Sequence, residues 1–369
     1  MDQRLQTIIS RCRDAGMVAS LLLASLFSVA ALADSPSYTV TPIGLPAQPC
    51  EAEYSFPLPR GINASDQVTG VYCRAGLVRG FRWDRRGIVD LGVPPGFPDV
   101  SNLLVLPAGI NAKGDVAGTV SQNSGLVSAA FLWHGGTMAV IDNQAMAMAT
   151  AINAAGEVAG FFPSSGGYGA FLYSHGKIKN LGKPPGATGV RAFALNDQGH
   201  IAGEADFPSP PLINSPLALW TGARWRILGS VPGDAVEAAP FSINAFDEIV
   251  GFSVFPGGFR AFLWNGHFSS LPCVPGAFCE AVGINDAGTI VGEASNGTPI
   301  VWTKEVLYDL STLIHPKDPL KGRINLNGVG INGINNRGTI VAVGQYQSGP
   351  KVGQVDVFVL TPVEEVENR

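Results

Sequence analysis

The sequence predicts an all-β fold: a seven-bladed β-propeller of four-stranded antiparallel blades, its ring closed by an N-terminal strand. Three observations carry this. An apolar-Asn pair, a turn and a short apolar run recur seven times, with anchoring asparagines at Asn63, Asn111, Asn153, Asn196, Asn244, Asn285 and Asn335. A repeat of 40 to 50 residues is the period of propeller blades. The 369 residues include 46 Gly and 27 Pro, are 46% hydrophobic and only 14% charged, which gives many turns and an ample core. The two ends also complement each other, because the last repeat lacks a strand that the N-terminal region supplies. A sandwich would explain short strands but not sevenfold recurrence, and an open solenoid would want capping units at both ends.

The elements follow in chain order. Arg4, Arg11 and Arg13 precede an apolar run from Met17 to Ala31, and Ala31-Leu32-Ala33 offers small residues for cleavage. That order reads as a secretory signal peptide over residues 1–33. Its apolar run of about 15 residues is short of the ~20 that span a membrane, so no stable insertion is expected after cleavage. The single propeller domain is expected over 34–363, with a short polar tail at 364–369. Export to the periplasm or medium agrees with the cysteines. Beyond Cys12, four remain: Cys50, Cys73, Cys273 and Cys279. Four cysteines allow three pairings, and sequence proximity favours Cys50–Cys73 with Cys273–Cys279. Their spacing and the lack of a neighbouring His argue against a metal site.

One repeat reads as four strands. The residues ahead of Ile-Asn form the first, and Asn-x-x-Gly makes a three-residue hairpin loop whose fourth position is left-handed. Asp66 and Asp247 replace that Gly, and Asp enters left-handed space at modest cost. The Ile-Val-Gly run is the second strand. Segments such as Gly80-Phe81-Arg82-Trp83 and Ala261-Phe262-Leu263-Trp264 are the third, and a Leu-Gly piece is the fourth. The seventh copy ends after Val357-Phe358-Val359-Leu360. Tyr38 to Gly44 is an orphan strand ending in Ile-Gly, suited to the vacant fourth place, where it would remove the open edges.

From Gly61 to about Val363 the chain resembles the extracellular HAF-repeat proteins of bacteria, through Ile-Asn-x-x-Gly-x-Ile-Val-Gly followed by Ala-Phe-Leu-Trp. The family's His before that second element is Ala129, Gly169 or Arg260 here, so no role of that His carries over. The resemblance implies export and a repeat fold, and no defined activity.

Function is less legible. With 24 basic against 29 acidic residues, a nucleic-acid partner is not expected. Binding is expected on the face that joins second to third strands, in loops over 71–79, 119–128, 161–168, 204–216, 252–259, 293–298 and 344–354. The candidate ligand-binding residues there are Tyr72, Arg74, Arg79, Phe161, Tyr168, Glu204, Phe252, Phe255 and Glu293. Aromatic rings with small polar neighbours suit sugar or peptide. Arg74 and Arg79 belong to a first-blade cluster with Arg82, Arg85 and Arg86 that would suit an anionic ligand. Glu204 and Glu293 fall at equivalent repeat positions, where paired carboxylates could act on a glycosidic bond. No supporting His or acid accompanies them, and the five histidines are dispersed around the ring. No catalytic residue, cofactor or metal is therefore assigned. The expected role is a secreted, monomeric, non-enzymatic scaffold for glycans or envelope proteins, and the alternative is a propeller enzyme on extracellular carbohydrate.

Overall fold

Every repeat asparagine opens a hairpin of the same geometry. Its N–H donates to the carbonyl four residues on, and the residue three on donates back to its carbonyl. In all seven copies the side-chain Oδ1 accepts the N–H four residues on, at 2.9–3.0 Å. The fourth position is left-handed throughout, including Asp66 (φ 58°) and Asp247 (φ 62°). A type I turn followed by a left-handed bulge residue matches the right-handed twist of the flanking strands.

The computed structural model describes residues 35–45, 57–97, 103–122, 127–141, 146–209, 212–233, 235–304, 306–328 and 330–363. The expected signal peptide, Cys50 and the polar tail lie outside the described residues. Among those described, the strands form seven antiparallel sheets, and the chain is a seven-bladed β-propeller. The first blade, typical of the set, consists of Leu58–Ile62, Val68–Arg74, Leu77–Asp84 and Gly87–Asp90. The inner strands of the next six blades are Leu103–Ile110, Met148–Ile152, Gly189–Leu195, Glu237–Ile243, Cys279–Ile284 and Ile331–Ile334.

Each inner strand carries a bulge three residues before the asparagine, at Arg60, Ala108, Thr150, Phe193, Phe241, Val282 and Asn332. The bulge drives an inner-strand carbonyl toward the second strand. A Cβ at Gly70, Gly118, Gly160, Gly203, Gly251 or Gly292 would lie 2.0–2.4 Å from that oxygen. The motif's last glycine is thus a close-approach residue rather than a turn residue.

The core lies between blades. Phe81, Phe131, Phe171, Phe262 and Phe358 of the third strands are fully buried. Cations of one blade cover the next blade's Trp: Arg82 over Trp133, Lys179 over Trp220 and Arg226 over Trp264. The asparagines also bond between blades. Six of the seven donate Nδ2–H to the backbone carbonyl of the next blade's asparagine at 2.8–3.2 Å, and Asn335 reaches round to Asn63. Asn111 Nδ2 donates to Asp115 Oδ2.

Ring closure follows the sequence expectation. Tyr38–Pro42 pairs antiparallel with Val355–Pro362 as the seventh blade's outer strand. Ile43 N–H donates to Val357 O, as Leu91 does to Gly80 O and Leu181 to Ala170 O in complete blades. The stretch joining the sixth and seventh blades covers the far edge of this strand. Asp318 accepts Val40 N–H at 2.8 Å, and His315 N–H donates to Tyr38 O. Covering that edge protects it from pairing with another chain. Cys273 and Cys279 form the expected disulfide. Cys73 is also disulfide-bonded.

Candidate functional site

The second and third strands run on into short hairpins, so several expected loop residues are strand residues. Tyr72, Phe161, Tyr168, Phe252 and Phe255 all sit in strands. Tyr72, Phe252 and Phe255 are buried, whereas Phe161 and Tyr168 are partly exposed. Four of the first-blade arginines have partners within the chain. Arg74 pairs with Asp90 at 2.9 Å, and Tyr72 donates its hydroxyl to the same carboxylate. Burial, helped by Asp90, pushes the Tyr72 hydroxyl up to about 12. Arg79 is buried against the carbonyls of Val78 and Leu103. Arg82 and Arg85 face Asp84 and Asp66.

A cavity opens at the central channel. Four bulge residues, Ala108, Thr150, Phe193 and Phe241, line its volume of about 180 Å³ together with Ile62, Ile110, Ile152, Leu195 and Ile243. Phe241 is 42% exposed.

Around the channel, the residue two before each bulge faces a second-strand partner. The pairs are Leu58–Val71, Leu106–Thr119, Met148–Phe161, Arg191–Glu204, Ala239–Phe252 and Glu280–Glu293. These pairs give the interblade clefts different chemistries. Between the third and fourth blades, Phe161 meets Tyr168 edge-on at 5.4 Å and Phe193 at 5.9 Å. Arg191 lies over Tyr168 and Phe193. Between the fifth and sixth, Phe241, Phe252, Phe259 and Phe278 form a row with centroids 5.4–5.7 Å apart, and both its end rings are exposed.

The fourth blade holds a buried charge cluster. Arg191 Nη2 lies 3.1 Å from Glu204 and 3.4 Å from Asp206, and Ser215 donates to Asp206. Burial pulls the guanidinium's pKa down, but the carboxylates of Glu204, Asp206 and Glu237 outweigh it and leave it raised. Burial raises the Glu204 carboxyl against the pull of Arg191. The sixth blade holds Glu280 and Glu293 face to face. Burial, then Glu293, pushes Glu280 up to about 7, and burial also raises Glu293. Glu204 and Glu293 therefore stand on blades separated by the fifth, each with its own electrostatic neighbours. Among the described residues no group of three or more His, Cys, Asp or Glu is arranged to hold a metal ion.

Sequence reading named Glu204, Glu293, Phe161 and Phe252 but missed Arg191, Phe193, Phe241, Phe278, Glu280 and Asn332. All but Phe278 are found by counting three or five residues back from a repeat asparagine.

No family model matches the chain, and no curated protein matches it. Solved structures do. The structure of YCF48 bound to a D1 peptide aligns with 93% of this chain and 100% of its own, at 11% identity and a TM-score of 0.51. The β-propeller domain of the trilobed protease from Pyrococcus furiosus aligns over 71% and 82%, at 9% identity and 0.48. A TolB from Agrobacterium tumefaciens aligns over 64% and 89%, at 14% and 0.42. What these neighbours share with the chain is the propeller fold.

Proposed function

We propose that the chain is an exported, non-enzymatic scaffold of the HAF-repeat type that takes a polypeptide segment at its central channel. The observation that carries this is the channel cavity, where Phe193 and the exposed Phe241 stand among inner-strand backbone, Thr150 and Ser242. Such a lining suits a polypeptide, whose amides can pair with polar backbone and whose apolar side chains gain from leaving water against the rings. The two exposed rings, Phe241 and Phe278, sit at the ends of a row and meet its inner rings, Phe252 and Phe259, at an angle, a poorer platform for a sugar face than one flat ring. A carbohydrate-cleaving role for Glu204 and Glu293 draws no support, because their neighbours differ and Glu204 is engaged by Arg191. The Cys273–Cys279 disulfide is compatible with export, and among the described residues no helix is long and apolar enough to cross a membrane.

The test pans a displayed random-peptide library against the purified chain and against a Phe241→Ser variant, with a glycan array in parallel. Enriched peptides should carry an apolar or aromatic anchor and lose at least about tenfold in affinity on the variant. Glycan binding with no peptide enrichment, or peptides indifferent to Phe241→Ser, overturns the reading.

A further inference from the structure

The fourth and sixth blades set two different pairs at one register position. In the fourth, the inner-strand residue two before the bulge is Arg191, and its partner is Glu204. In the sixth, the same two positions hold Glu280 and Glu293. Like charges directly opposite on neighbouring strands oppose each other, and an enclosed carboxylate without a cation is costly. Yet among the described residues neither the Glu280 nor the Glu293 carboxyl group has a hydrogen bond or ion pair to another side chain or the backbone. Both remain partly exposed, so a ligand can reach them.

A second observation points into the same space from the seventh blade. Asn332 Oδ1, on that blade's bulge residue, is buried and accepts no hydrogen bond. A methyl group at Gly330 would lie 3.4 Å from this oxygen and 3.6 Å from Glu293 Oε2, so the glycine leaves open the room that both oxygens border. The site thus gathers oxygens able to accept: the facing carboxyl groups of Glu280 and Glu293 and the Asn332 amide oxygen.

We propose that this cleft between the sixth and seventh blades receives a guanidinium group from the bound polypeptide, which takes the place that Arg191 occupies inside the fourth blade. A guanidinium brings N–H donors in a planar fork and no acceptor, the complement of these oxygens. A calcium ion would ask for six to eight oxygens, more than the three side chains present. The proposal rests on the channel-mouth reading above, and adds that the partner segment carries an arginine beside its apolar anchor.

The first arm of the test titrates the full chain with N-acetyl-arginine N-methylamide, followed by NMR, against its neutral citrulline counterpart. The arginine probe should bind, and both the citrulline probe and a Glu280→Gln/Glu293→Gln variant should show binding weakened by about tenfold or more. Equal binding of the two probes, or binding unaffected by the double variant, overturns the proposal. The second arm compares the panned peptides. Arginine enrichment that disappears on Glu280→Gln/Glu293→Gln, while Phe241-dependent binding persists, supports it. Phe241-dependent peptides without arginine enrichment defeat this proposal and leave the channel reading standing. A third arm adds calcium chloride alone: thermal protection abolished by the double variant would assign the cleft to a metal ion instead. Removing like charges should leave the double Gln variant folded, which its unfolding curve verifies.

Discussion

Replacing Asn285 separates the two duties of the repeat asparagine. Its Oδ1 accepts N–H bonds from Ala287 at 3.1 Å and Thr289 at 2.9 Å, and its Nδ2 donates to Asn335 O at 3.2 Å on the next blade. The residue is 3% exposed, so groups left behind are poorly served by water. At about 1 kcal/mol net for each bond, Asn285→Ala should cost about 3 kcal/mol, and more if the orphaned groups stay dry. Asn285→Asp keeps both accepted bonds but sets a carboxylate oxygen against the Asn335 carbonyl, so only the interblade bond is lost. That variant should cost about 1 to 2 kcal/mol. Asn296→Ala is the control, since Asn296 is exposed and its Oδ1 accepts the Thr298 N–H of its own turn at 3.1 Å. Its cost should stay below about 1 kcal/mol. Urea unfolding at pH 7, followed by tryptophan fluorescence, measures all three. An Asn285→Asp protein as stable as the parent would refute the idea that the asparagines tie blade to blade.

Three other predictions follow from the same geometry. Gly251→Ala places a Cβ 2.0 Å from Ala239 O and should lower stability by about 2 kcal/mol or more in the same assay; an unchanged midpoint would contradict the close-approach account. Arg191→Leu removes the cation that Glu204 and Asp206 face and should cost about 3 to 5 kcal/mol at pH 7 in the same assay; an unchanged midpoint would show that the cluster does not depend on its guanidinium. For Glu280, the ordinary value is 4.5 and the folded value about 7, so the folded chain holds this proton more tightly than the unfolded one. Its contribution is then complete below about pH 4.5 and lost as pH rises through about 7, a change of roughly 3 kcal/mol. Glu280→Gln should flatten that slope in unfolding measurements between pH 4 and 8, and an unaltered slope would show that another group titrates there.

Particular residues show how far the chain could be read without its fold. The left-handed fourth position of each turn was legible, even where Asp66 and Asp247 stand for glycine, because a turn's backbone demands are met within five residues. The closing strand was legible because Ile43-Gly44 repeats the Leu-Gly ending that the seventh copy lacks. The site was less so. Tyr72 and Phe252 look like loop aromatics in sequence, but the hairpins are tight and those rings are buried. Phe193, Phe241 and Glu280 escaped notice because the stretch ahead of each Ile-Asn follows no shared pattern.

By itself the sequence determined the number of blades, the turn chemistry, and which strand closes the ring, since these depend on periodicity and local backbone preference. Only the tertiary structure decided the second duty of the asparagines and the purpose of the glycine in Ile-Val-Gly. Both arise where one strand or blade meets another, 41 to 50 residues away for the asparagine bonds between consecutive blades. The same holds for Glu280, Glu293 and Asn332. Two of them meet across one sheet and the third arrives from the next blade, because the inner strands of a closed ring must converge on its axis.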